Sequence, residues 1–217
     1  MNVDILTPEH LEWKATTAII AKVYRKAYGA RLNSFMPRLL KVSGQDGGFR
    51  AIVGMRNAMD QPLFLETYLD EPIEQAIARK TGDVVGRDRI VEIGNLAESR
   101  PGDARLGIIA SSMYLHKQGY RWVVFTAVPQ LLNAFKRLGM EPLDMVAADP
   151  ERLPEEQRAL WGSYYAERPM VCLGDIAGGY ASLKDFDNTW LGAKRLAENE
   201  LEAIELENNQ GSTQSGI

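Results

Sequence analysis

The stretch Arg89-Ile90-Val91-Glu92-Ile93-Gly94-Asn95-Leu96-Ala97, followed by Ser99-Arg100-Pro101-Gly102-Asp103-Ala104-Arg105, decides the reading of this chain. Ile90, Val91, Ile93 and Leu96 make both faces of the first segment largely apolar, the pattern of a central strand covered on both sides. That strand carries one carboxylate, Glu92. The turn after it bears two arginines and opens directly into a helix, whose first amides have no partner inside the helix and attract anions. The combination implies an anion such as a phosphate held beside a general base.

The surrounding elements follow from spacing. Leu106, Ile109, Ala110 and Met113 recur at helical steps, so a helix runs from the turn to about Gly119. Tyr120 to Ala127 is the next strand, and a strand-helix-strand crossover makes its two strands parallel. Pro129 starts another helix, with Leu132, Phe135 and Leu138 inward and Gly139 at its end. Upstream, Leu39–Val42 and Phe49–Met55 read as a hairpin around Ser43-Gly44-Gln45-Asp46-Gly47-Gly48. Leu63–Leu69 alternates as a third strand, completing an antiparallel meander.

Thr7-Pro8-Glu9 signals a helix start, with Thr7 as cap and Pro8 in the first turn. Trp13, Ile20, Tyr24 and Ala27 carry that helix to about Tyr28, and Gly29 stops it. Ala30 to Arg38 has no period and reads as a loop lying on the body. A short helix begins at Glu71-Pro72-Ile73-Glu74 and breaks at Thr81-Gly82-Asp83. Two weaker strands, Leu143–Ala148 and Met170–Gly174, flank a Pro-, Glu- and Arg-rich excursion. The expected architecture is α/β: a mixed sheet with an antiparallel meander followed by a parallel strand-helix-strand unit, flanked by helices. One domain spans 1–190, a polar helix 191–207, and a disordered tail 208–217 rich in Asn, Gln, Gly and Ser.

Composition excludes several classes. The 217 residues are 45% hydrophobic and 25% charged, ordinary for a globular chain. Of the net charge of −4, most sits in residues 192–217, where five glutamates face only Lys194 and Arg195. The remainder is close to neutral, so nucleic acid is a poor partner. No apolar run approaches the roughly 20 residues of a membrane span. The N-terminus lacks the basic and apolar regions of a secretory signal, so the expected location is the cytoplasm, without integral membrane association. The lone Cys172 reads as a buried structural thiol, and His10 and His116 have no metal-binding spacing, so no metal site is expected.

Four separated motifs carry a resemblance: Phe64-Leu65-Glu66-Thr67-Tyr68-Leu69-Asp70 with Pro72-Ile73-Glu74, Glu92-Ile93-Gly94-Asn95-Leu96-Ala97, Trp122-Val123-Val124-Phe125-Thr126-Ala127, and Trp161-Gly162-Ser163-Tyr164-Tyr165. Over residues 15–180 they resemble the thermostable hemolysin family, and the order of elements resembles the GNAT superfamily of acyltransferases. The layout is similar to that of acyl-homoserine-lactone synthases, where a glutamate on the fourth strand, in a Glu-x-Ser-Arg pattern, is a candidate base. Glu92 falls at the matching place, while Gly94 and Asn95 stand where that pattern has serine and arginine. Arg100-Pro101-Gly102-Asp103-Ala104-Arg105 is a loose version of the GNAT phosphate-binding turn. The resemblance implies transfer of an acyl group from acyl-CoA, or from the 4'-phosphopantetheine of an acyl carrier protein, to a small amine such as an amino acid. No tightly bound cofactor is implied. The family name also records lysis, which makes a membrane-active protein the alternative, beside a GNAT-like protein that only binds ligand.

Each candidate residue has two readings. Glu92 is either the base that deprotonates the amine or a structural carboxylate paired with an arginine such as Arg89 or with backbone donors. Glu66 poses the same choice, against a solvated strand face. Asn95, on the face opposite Glu92, binds a substrate amide or fixes a bulge; Leu96 and Ala97 belong with it to the donor-binding strand. Arg100, Gly102, Ala104 and Arg105 hold the donor phosphate or simply form a capped helix with solvated arginines. Tyr165 protonates a leaving thiolate or packs with Trp161 and Tyr164.

Overall fold

A computed structural model describes residues 1–183; the helix expected over 191–207 and the tail over 208–217 lie outside the described residues. The strands are β1 (Asn2–Leu6), β2 (Arg38–Ser43), β3 (Phe49–Asn57), β4 (Ile90–Glu98), β5 (Trp122–Ala127), β6 (Leu143–Ala147) and β7 (Met170–Asp175). They form one sheet in the order β1-β2-β3-β4-β5-β7-β6. Only β4 and β5 run parallel, joined by the crossover helix α3 described below; every other neighbouring pair is antiparallel.

Helices α1 (Trp13–Tyr28), α2 (Ile73–Thr81), α3 (Ala104–Lys117), α4 (Pro129–Arg137), α5 (Glu155–Leu160) and α6 (Ile176–Ser182) cover the sheet. On one face α3, α4 and α6 close over Val42, Ala51, Met55, Val91, Phe125 and Cys172. On the other, Ile20 of α1 meets Leu6, Leu39, Ile52 and Ala97, while Ile73 and Ile77 of α2 meet Ile90, Trp122 and Val124. Fully burying one such aliphatic side chain contributes about 2 kcal/mol, so this two-sided cover anchors β4.

Several expectations are corrected. Leu63–Leu69 is not a strand: Phe64–Tyr68 is a short 3-10 helix. Its amides bond to carboxylates instead of a ladder, Leu63 N–H to Glu66 and those of Phe64 and Leu65 to Glu92. The place beside β4 is taken by β3 and β5, so the meander is completed by β1, a strand the sequence reading missed. The first helix starts at Trp13, not Thr7, because the Thr7-Pro8 signal closes a separate turn in which the His10 N–H donates to the Thr7 carbonyl.

Candidate active site

The site is built where β4 breaks register. Gly54 pairs with Gly94 and Ile52 with Ala97, so β4 carries one extra residue, a bulge. Asn95 takes the left-handed backbone there, with φ of 49°, which Asn tolerates better than most residues. The extra residue reverses the alternation, so Asn95 faces the same cavity as Glu92 and not the opposite side, as strict period-two reading implies. Its Oδ1 accepts the Met36 N–H at 2.8 Å, pinning the 30–37 loop. Gly54 permits this approach, since a Cβ there would lie 2.8 Å from that of Met36.

Beyond Ile93 the β4–β5 ladder ends: pairing runs from Ile90 with Trp122 to Ile93 with Phe125. The strands part, and a cleft of about 650 Å³ opens between them, walled by α1, α3 and α4. Leu96, Gly102, Ala104 and Arg105 line it. A second cavity of about 310 Å³ holds Glu92, Asn95, Tyr68 and Tyr165 and shares Tyr24, Ile93, Gly94, Thr126 and Tyr164 with the cleft. The two meet at the bulge.

Glu92 is 3% exposed. Its Oε2 accepts the Phe64 N–H and its Oε1 the Leu65 N–H, both at 3.0 Å. Its cross-strand neighbour is Arg56, not Arg89, with Nη1 3.7 Å from Oε2. Burial raises the carboxyl above the ordinary range, and Arg56 and the two amides only partly oppose it. A carboxylate so placed holds a proton at higher pH than usual, as a base for an amine requires.

Glu66 lies elsewhere. Both its oxygens face the Arg87 guanidinium, at 2.6 and 3.0 Å, and it also accepts the N–H groups of Leu63 and Ile73. It lines a separate surface depression, outside both the cleft and the Glu92 cavity. Burial pushes its carboxyl up, but Arg87 and the two amides outweigh that and hold it below the ordinary range.

At the start of α3 the chain supplies its own anion. Glu98 Oε2 accepts the N–H groups of Gly102 and Ala104 at 3.1 and 2.9 Å, so these amides demonstrably grip a carboxylate. Gly102, with φ of 96°, makes the turn. Arg105 lies at the cleft, its Nε reaching the Gly102 carbonyl at 3.4 Å, whereas Arg100 is exposed and lines neither cavity. Asp103, itself buried, turns away to a two-pronged pair with the partly exposed Arg50. Ala97 is buried in the core beside Ile20 and touches neither cavity.

The excursion after β6 brings its aromatics to this point. Trp161 packs on Phe64, Tyr24 and Tyr164, and the Tyr165 hydroxyl lies 2.5 Å from that of Tyr68. Burial raises the Tyr165 hydroxyl above its ordinary range, so it stays protonated. Cys172, with its thiol pushed up to about 12 by burial and by Asp144, is inert packing. Sequence reasoning missed Arg56 and Glu98. Arg56 reads as a polar strand end, and only the pairing of β3 with β4 reveals its neighbour.

A mixed sheet that parts after its central parallel pair, with an anion-gripping helix start below the opening, defines a GNAT-like fold. The chain belongs to the thermostable hemolysin family, whose model matches residues 6–180. Solved structures share the architecture. FeeM, an N-acyl amino acid synthase from uncultured soil microbes, superposes with a TM-score of 0.57 at 12% identity, covering 84% of this chain and 99% of its own. TofI, in a ternary complex with an inhibitor and MTA, gives 0.54 at 15%, covering 87% and 99%. MesI, a CoA-dependent acyl-homoserine lactone synthase, gives 0.52 at 13%, covering 84% and 93%. At these identities the likeness establishes the fold. No curated protein matches the chain. Among the described residues, no helix is long and apolar enough to cross a membrane, and no group of three or more His, Cys, Asp or Glu is placed to hold a metal ion.

Proposed function

We propose that this chain is an N-acyltransferase working in the cytoplasm, moving an acyl group from the thioester of acyl-CoA or of an acyl carrier protein to a small amine such as an amino acid. One observation carries the reading: a cleft that ends on anion-gripping amides joins, at the β4 bulge, a cavity holding a buried carboxylate. Solved proteins of the same fold include an N-acyl amino acid synthase and a CoA-dependent acyl-homoserine lactone synthase, which supports the reading by analogy. The absence of serine and arginine after Glu92 argues against a homoserine-lactone product.

In this account the donor phosphate replaces the Glu98 carboxylate on the amides of Gly102 and Ala104, with Arg105 beside it. The thioester reaches the bulge, where the edge of β4 past Ile93 has no β5 ladder and its amides can steady the carbonyl oxygen. The neutral amine attacks the thioester carbon. A C–N bond forms, the C–S bond breaks, Glu92 takes the proton lost by nitrogen, and the thiolate takes one from Tyr165. A proton passed from Glu92 to Tyr165 through solvent restores both groups. Glu66 and Ala97 have structural parts only, and Asn95 holds the bulge. Incubation with acyl-CoA and acyl-carrier donors and a panel of amino acids, followed by mass spectrometry, should yield an N-acyl amide with one free thiol per product. No condensation with any pair overturns the proposal.

A further inference from the structure

The cavity beside Glu92 is otherwise built of aromatic, aliphatic and uncharged polar side chains; among the described residues lining it, only Arg56 and Glu92 carry charge. They are cross-strand partners whose side chains stop 3.7 Å apart at Arg56 Nη1 and Glu92 Oε2, beyond hydrogen-bond length. Of the guanidinium, Nη1 reaches only the Pro62 carbonyl, at 3.5 Å, and Nε is buried with no hydrogen-bond partner. A buried donor on a charged group is costly to leave unmet, and what satisfies it best is an anion. Each Glu92 oxygen accepts one backbone N–H and keeps a lone pair for another donor.

One cation and one carboxylate, side by side in a chamber with no other charge among its described lining residues, complement a ligand that carries a carboxylate and a neutral amino group on one carbon, the ammonium having shed one proton to solvent on binding. We infer that the acceptor is a free α-amino acid with an apolar or aromatic side chain, its carboxylate anchored by Arg56, its amino group on Glu92, and its side chain among Phe64, Trp161 and Tyr164. This rests on the acyl-transfer reading and specifies its acceptor. The cavity of about 310 Å³ has room for on the order of ten water-sized groups at about 30 Å³ each, the scale of a large amino acid. An amine without a carboxylate leaves Arg56 unmatched. A dicarboxylate brings a second negative charge that no other cation of the cavity meets.

Calorimetry with L-phenylalanine and with phenethylamine, coenzyme A present, tests this on the wild-type chain and on Arg56→Gln. The wild type should bind phenylalanine at least tenfold tighter than phenethylamine, and Arg56→Gln should level the two. Arg56→Lys, which keeps the charge but not the fork, should retain part of the preference and guards against a fold lost in the first variant. Equal binding of both ligands by the wild type, binding of neither, or a preference that survives Arg56→Gln overturns the inference. The two readings separate cleanly. Phenylalanine bound but acylated from no donor removes acyl transfer and leaves the anchor; phenethylamine acylated as readily as phenylalanine removes the anchor and leaves acyl transfer.

Discussion

Glu98 caps the helix that should hold the donor: its Oε2 lies 2.9 Å from the Ala104 amide nitrogen and takes the Gly102 amide as well. A donor phosphate must displace it. Glu98→Ala should tighten coenzyme A binding about tenfold, the worth of one or two freed amide bonds, while lowering stability by about 1 kcal/mol as a cap is lost. Titration calorimetry and thermal melts read the two effects. Unchanged affinity would place the phosphate elsewhere.

The two arginines of the turn should differ. Arg105 lines the cleft and Arg100 does not. Arg105→Ala should weaken donor binding about tenfold, as loss of a charge-assisted bond does, and Arg100→Ala only slightly. The double variant should match Arg105→Ala within a few-fold, and equal losses from both single variants would refute this geometry.

Glu66 and Arg87 tie the 3-10 helix to α2, where Arg87 also reaches Glu74. Arg87→Ala should cost about 2 kcal/mol in denaturant unfolding, because Glu66 and Glu74 lose their charge-assisted partner while Glu66 keeps its two backbone N–H bonds. The sign with pH follows from the depressed Glu66 carboxyl. Its contribution is fully present above the ordinary carboxylate range and is lost as pH falls through the lower folded-state value. The gap between wild type and variant should therefore narrow in acid; a gap constant with pH would separate Glu66 from the effect.

An acylated amino acid is a detergent-like molecule, which offers a chemical origin for the family's lytic name. Red-cell lysis by the purified protein should appear only when acyl donor and amino acid are both supplied. Lysis at the same rate without them would favour a directly membrane-active protein.

The strand-turn-helix around Glu92 was legible because both faces of β4 are apolar and the α3 and α4 starts carry strong local signals. Long-range chemistry was not. Leu63–Leu69 has the alternation of a strand, yet carboxylates from Glu66 and the distant Glu92 capture its amides and coil it. β1 is a five-residue edge strand beside a stronger helix signal, too short to stand out. Asn95 changed face because one left-handed residue shifts the period by one, which no counting of alternation foresees. The Arg56–Glu92 relationship exists only through the antiparallel register of β3 and β4.

The most direct test is turnover of Glu92→Gln against its donor affinity, using the acyl donor and amino acid that the wild type condenses. Loss of a general base costs 10²- to 10⁴-fold, so kcat should fall at least a hundredfold with the donor Kd unchanged. In the wild type, kcat should fall with acid through a value above the ordinary carboxylate range, as burial of Glu92 dictates. A Glu92→Gln chain that turns over at the wild-type rate would contradict the account.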